Sequence, residues 1–199
     1  MLIKTPIMKT KFLILAIFFI TISAFGQGRR ANQSGIHATY GYMPVSASDS
    51  IKKESFMAIA GYNRVIGDKG FLGKIEGFYQ KTKVGYTGNQ FLPYEKYGLN
   101  VSAGYSYEGL YPVFLNAYVG AFGAYEKVND GSDRDPLYGA LIPEKVTGFT
   151  YGVTGSAEIE VVLVRKLSLV ANYTQFYDLK SKFSKSNYAL FGGLKYYID

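Results

Sequence analysis

From Tyr97 onward the chain alternates apolar and small polar residues with a period of two. Tyr97, Leu99, Val101, Ala103, Tyr105 and Tyr107 share one face, and Gly98, Asn100, Ser102, Gly104 and Ser106 share the other. Only a β-strand sends alternate side chains to opposite faces. The stretch from Gly148 repeats the pattern: Phe149, Tyr151, Val153, Gly155, Ala157, Ile159 and Val161 face one way, and Thr150, Thr154, Ser156, Glu158 and Glu160 the other. Weaker copies at 35–43, 55–66, 71–83, 113–125, 167–177 and 187–198 bring the expected number of strands to eight. Several exceed the five or six residues common in soluble strands and reach the roughly nine to eleven that a tilted membrane strand needs. The connections alternate as well. Those at 67–70, 108–110 and 164–166 are short, and those at 44–54, 85–93, 129–146 and 178–186 are longer. Short turns at one end and long loops at the other describe an all-β, up-and-down antiparallel transmembrane β-barrel, with both termini on the periplasmic side.

Alternation alone is compatible with a soluble barrel around an apolar cavity, because inverting the faces leaves the period unchanged. Side-chain size separates the two. The polar face is largely Gly, Ser, Thr and Asn, which suits the crowded interior of a small barrel better than a solvated exterior. Tyr40, Tyr42, Tyr62, Tyr79, Tyr97, Tyr105, Tyr107, Tyr151, Tyr173, Tyr188 and Tyr196 fall mostly near strand ends on the apolar face. There they read as an interfacial girdle, rings among acyl chains and hydroxyls among headgroups. Ordinary cross-strand packing in a soluble sheet is the alternative.

The N-terminus sets the compartment. Lys4, Lys9 and Lys11 precede the apolar run 12–22, and Ala24-Phe25-Gly26 follows with small residues where a signal peptidase reads. This is a secretory leader over 1–26, cut before Gln27, ahead of a barrel domain over 27–199. Met8 is an alternative start, since Lys9 supplies the positive end. The run is short for a membrane-spanning helix, so a single N-terminal anchor is the weaker reading. Removing the leader removes three lysines and no acids, so 22 bases become 19 against 15 acids and the net charge falls from +7 to +4. The remaining bases are dispersed, with Lys52-Lys53 and Arg165-Lys166 only dipeptides, so no stripe for nucleic acid forms. The chain has no cysteine, which excludes disulfide scaffolds and cysteine zinc sites.

Candidate chemistry is sparse. His37 is the single histidine and falls on the lumen face, with no nucleophile arranged around it, so no catalytic residue and no enzyme activity is expected. Lys74 with Glu76, Lys96, Glu158 with Glu160, and Lys195 occupy inward positions on separate strands. Buried charges in a narrow bore must pair, which predicts a structural charge network that plugs the lumen. A charged ion path is the alternative. The segment 129–136 gathers Asp130, Asp133 and Asp135 but lacks calcium-loop spacing and carries Arg134, so it reads as a solvated turn and not as a metal site. No cofactor is expected.

The leader ending at Gly26-Gln27, the run Gly120-Ala121-Phe122-Gly123-Ala124-Tyr125-Glu126-Lys127-Val128-Asn129, the opening Gly148-Phe149-Thr150-Tyr151-Gly152, and the closing Phe191-Gly192-Gly193-Leu194-Lys195-Tyr196 resemble the TraO family of conjugative transposons. That family is encoded among the conjugal-transfer genes of Bacteroides-type bacteria. The resemblance implies an outer-membrane component of the mating apparatus, partnered by other conjugal-transfer proteins, and brings no catalytic residues. Lys52, Lys53, Lys180, Lys182 and Lys185 on the long loops are expected to meet lipopolysaccharide or a partner protein, and no direct contact with nucleic acid is expected. A small passive channel and a surface adhesin or receptor are the rival functions.

Overall fold

The computed structural model describes residues 31–43, 55–85, 91–136, 138–142, 147–181 and 185–198. The leader, Lys52, Lys53 and Lys182 lie outside the described residues. Eight strands follow in chain order: β1 (Ser34–Tyr42), β2 (Phe56–Ile66), β3 (Phe71–Gly85), β4 (Phe91–Leu110), β5 (Val113–Val128), β6 (Thr147–Val164), β7 (Leu167–Asp178) and β8 (Ser186–Tyr197). Each pairs antiparallel with its neighbours, and β8 returns to pair with β1, so the sheet closes into an up-and-down barrel. Closure leaves no strand edge with unpaired backbone groups, the condition for crossing a membrane with strands. No described helix is long and apolar enough to cross one.

The period-two reading sets which side chains face in. Along β1, Gly35, His37, Thr39 and Gly41 face the lumen, while Ile36, Tyr40 and Tyr42 are exposed on the wall. Every tyrosine assigned to the girdle from sequence points outward, and the outer face between the tyrosines is apolar: Leu99, Val101, Leu115, Val119, Val153, Ile159, Leu169 and Leu194. Along β4, Tyr97 and Tyr107 bracket this band. Ten strand steps at a tilt of about 40° give a height of about 26 Å, that of the apolar belt of membrane barrels.

The elements depart from expectation at three places. Strand β4 begins at Phe91, six residues before the expected start, because Leu92, Tyr94 and Lys96 continue the inward set and pair with the extended end of β3. The tight turn expected at 108–110 lies one step later, at the cis peptide Tyr111-Pro112, since β4 runs to Leu110. Asp178, counted as loop from sequence, is the last residue of β7 and is fully buried. The β2–β3 turn needs two residues in the left-handed region, and both are glycine: Gly67 at φ 69° and Gly70 at φ 79°.

Candidate functional site: the filled lumen

The lumen is built in three layers stacked from the turn end to the loop end. The lowest is a polar network joining six strands, with a small apolar cluster of Val65, Leu72 and Tyr118 beside it. Lys195 Nζ donates to Glu158 Oε1 and Glu160 Oε2, both at 2.7 Å. Lys74 Nζ lies 3.0 Å from Glu76 Oε1 and 3.5 Å from Glu158 Oε2. His37 Nε2 donates to Glu76 Oε1 at 2.9 Å, and Asn100 Nδ2 to Glu76 Oε2 at 2.9 Å. Asn116 Nδ2 donates to Glu158 at 2.9 Å, the Tyr197 hydroxyl to Glu160 at 2.6 Å, and the Thr154 hydroxyl to Asn100 at 3.0 Å. Glu160 is 0% and Lys195 1% exposed. Such charges are tolerated only because each carboxylate faces ammonium or amide donors. Lys74 also sits 4.0 Å above the Tyr118 ring.

The middle layer is aromatic. Phe78 from β3, Phe122 from β5 and Phe176 from β7 meet edge-on or tilted, with ring centroids 5.7 to 6.0 Å apart. Met43, Met57, Ile59, Ala124, Ala189 and Phe191 complete the cluster. These rings meet across the bore, so the apolar layer separates the polar network below from a second one above. In that upper layer Lys96 Nζ donates to Asp178 Oδ1 at 2.5 Å, and the Thr150 hydroxyl donates to the same oxygen at 3.1 Å. Glu126 accepts from the Tyr94 hydroxyl at 3.0 Å and the Ser181 hydroxyl at 2.9 Å. Ser181 lies beyond β7, so this bond brings the start of the β7–β8 connection over the loop-end mouth. Lys96 also lies 4.6 Å over the Phe122 ring, tying the upper layer to the aromatic one.

All six lumen charges singled out from sequence face inward and are buried. Five of them join the lower network, and Lys96 alone belongs to the upper one. Sequence reasoning missed Asp178, Glu126 and the phenylalanine layer. For the phenylalanines a signal existed: Phe78 shares its strand face with Lys74 and Glu76, so a large apolar side chain on a polar face marked an internal plug. The aspartates of 129–136 do not converge. Asp130 pairs with Lys127 at 3.2 Å, and the turn is held by Asn129 Nδ2 donating to the Arg134 carbonyl at 2.7 Å. Among the described residues no three His, Cys, Asp or Glu gather as a metal-binding group.

Outside the lumen, a polar cluster stands on the wall beside Tyr79. Glu95 accepts from Lys127 Nζ at 2.9 Å and from the Tyr79 hydroxyl at 2.8 Å, with Lys81 Nζ at 3.5 Å. The hydrogen bond from Lys127, then that from Tyr79, holds the Glu95 carboxyl below the usual carboxylate range. Hydrogen bonds to Glu95 and Asp130 push the Lys127 ammonium up to about 12.

The same barrel fold recurs in solved structures. The chain is similar to Neisserial surface protein A, at 15% identity over 85% of this chain and 99% of that one, with a TM-score of 0.55. It is similar to the outer membrane protein OprG of Pseudomonas aeruginosa, at 8% identity over 86% and 98%, with a TM-score of 0.55. A third is Ail, the attachment invasion locus protein of Yersinia pestis, at 13% identity over 84% and 99%, with a TM-score of 0.52. The fold is that of the small outer-membrane barrels. Identities this low speak for the fold alone, and no family model and no curated protein matches the chain.

Proposed function

We propose that this chain is a closed outer-membrane barrel that acts as a scaffold or docking component of a conjugative DNA-transfer apparatus, without enzymatic activity. The observation that carries the closed-scaffold reading is the three-layer filling of the bore, above all the contact of Phe78, Phe122 and Phe176 across it. An eight-stranded barrel has an interior that side chains nearly fill, and here ion pairs occupy the space on both sides of the phenylalanines. What remains for interaction is the loop end, where Tyr138, Leu141 and Leu179 are exposed. The apolar outer band, the leader read from sequence and the likeness to outer-membrane barrels support the location. The conjugation context rests on the resemblance of 120–129, 148–152 and 191–196 to the TraO family. Contact with the DNA cargo is not part of this reading, because Lys74, Lys96 and Lys195 are engaged inside the barrel.

Two measurements test it. Purified protein in planar bilayers is expected to show no steady conductance, and a clean deletion in a donor strain is expected to reduce mating sharply with normal growth. Steady conductance abolished by replacing the lumen charges would favour the passive channel. Unchanged mating, together with binding of the purified barrel to a target cell surface, would favour the adhesin or receptor.

A further inference from the structure

The upper layer of the lumen is short of one positive charge. On β4, Lys96 has Gln80 of β3 and Glu126 of β5 as its cross-strand partners, and the next inward position towards the loops sets Tyr94 opposite Thr82 of β3. Lys96 Nζ reaches across the bore to Asp178 Oδ1 on β7. Glu126 accepts only from neutral donors, the hydroxyls of Tyr94 and Ser181, and both bonds fall on Oε2. One ammonium therefore faces two carboxylates, and these are only 0% and 5% exposed, so solvent does little to offset the excess. Among the described residues no second base enters this layer, since Lys180 and Lys185 of the β7–β8 connection are exposed. Two further buried atoms here, Asp178 Oδ2 and Thr82 Oγ1, have no hydrogen-bond partner. Buried polar atoms left without a partner in a folded protein mark the place of a bound water or ion.

We propose that the loop-end layer of the lumen binds one alkali cation, sodium or potassium, through Glu126, Asp178 Oδ2 and Thr82 Oγ1. A proton on Glu126 would settle the charge but would leave Asp178 Oδ2 and Thr82 Oγ1 without partners. A water would serve those two atoms and leave the charge. A cation answers both. The donors are carboxylate and hydroxyl oxygens with no nitrogen or sulfur among them, which selects a hard ion over zinc, copper or nickel. One elementary charge is missing, so a monovalent ion restores neutrality, whereas a divalent ion overshoots by as much beside the Lys96 ammonium. Held there, the ion ties β3, β5 and β7 together at the mouth. It also fixes the carboxylate that accepts from Ser181, and so steadies the start of the β7–β8 connection over the bore.

The test uses the purified mature chain in detergent micelles, with the thermal midpoint read by circular dichroism at one fixed chloride concentration. The probes are sodium chloride, potassium chloride and choline chloride, whose cation is too large for the layer. Sodium or potassium is expected to raise the midpoint by about 3 °C over choline, because an ion that binds only the folded barrel stabilises it by mass action. The sodium NMR line is expected to broaden on adding the protein and to sharpen again with excess potassium. Glu126→Gln is expected to lose the sodium shift while melting in choline no lower than the unaltered chain, since it removes the excess charge as well as a ligand; a residue of merely structural value would melt lower in every salt. Thr82→Val, which keeps the side-chain shape, is expected to shrink the shift and is the second variant should the first misfold. Lys182→Gln is expected to change nothing. Equal midpoints in all three salts, or a sodium shift retained in both Glu126→Gln and Thr82→Val, overturns the site. A sodium shift that appears only in Lys182→Gln overturns it in favour of that lysine as the occupant, and a larger shift from millimolar calcium overturns the monovalent ion in favour of a divalent one.

Discussion

Lys195 is the side chain whose removal should be felt most. It neutralises Glu158 and Glu160 at once, at 2.7 Å each and 1% exposure of its own side chain. Lys195→Met leaves two buried carboxylates with one ammonium fewer, and breaking a buried pair from one side costs about 3 to 5 kcal/mol. The expected outcome is a lower urea midpoint of the refolded barrel, with part of the loss recovered when Glu160→Gln is added, since that removes one stranded charge. On the outer wall the ionisation is milder and visible to titration. Glu95 is held below the usual carboxylate range by Lys127 and Tyr79, so what it contributes is present above the unfolded carboxylate value and lost as pH falls through its lower folded value. Lys127 is raised to about 12, so its contribution is present below 10.5 and lost as pH rises through about 12. Solvent screening keeps both effects on stability small. Carboxyl-carbon NMR of Glu95 should therefore titrate below a free glutamate and move back towards it in Lys127→Met.

At the scale of elements, closure depends on how near neighbouring strands come. Gly193 on β8 faces Thr39 of β1 across the closing seam, and a Cβ there would run into the Ala38 carbonyl and the Thr39 backbone. Gly193→Val is expected to destabilise by about 1 to 3 kcal/mol through overpacking, read as a lower melting temperature in detergent. The same change at Gly155, whose Cβ position meets no atom nearby, is expected to be milder. The phenylalanine layer obeys the opposite rule. Phe122→Ala opens a cavity beside Phe78 and Phe176 and should cost about 3 to 5 kcal/mol. It should not by itself make the barrel conduct, because the ion-paired layers above and below remain. Planar-bilayer recording of that variant separates a plug made of one layer from one made of three.

For the whole molecule, the barrel wall and its filling assign different tasks to the two faces of every strand. The outer face meets lipid, and the inner face is a packed core with salt bridges where a soluble protein keeps aliphatic side chains. The chain is expected to fractionate with outer membranes and to give a strand-dominated circular dichroism spectrum in detergent. A soluble periplasmic product or a helical spectrum would refute the membrane reading. A closed wall leaves its loop end and outer surface as the places where partners can act.

The sequence by itself determined the period of every strand, the strand number, the alternation of short and long connections, and the inward placement of Lys74, Glu76, Lys96, Glu158, Glu160 and Lys195. Each follows from the two-residue repeat, which is local and survives in a single sequence. Only the tertiary structure decided which charges meet. Lys195 and Glu158 are far apart along the chain, on β8 and β6, and the barrel's closure and stagger bring them within 2.7 Å. Asp178 was read as loop and Tyr94 was placed in no strand because proline and polar residues interrupt the pattern nearby, and pairing with neighbouring strands extended β4 and β7 past those interruptions. The rung that sets Lys81, Glu95 and Lys127 side by side was equally out of reach. A rung runs across strands, so its composition depends on register, and register is fixed only when each strand finds its partner.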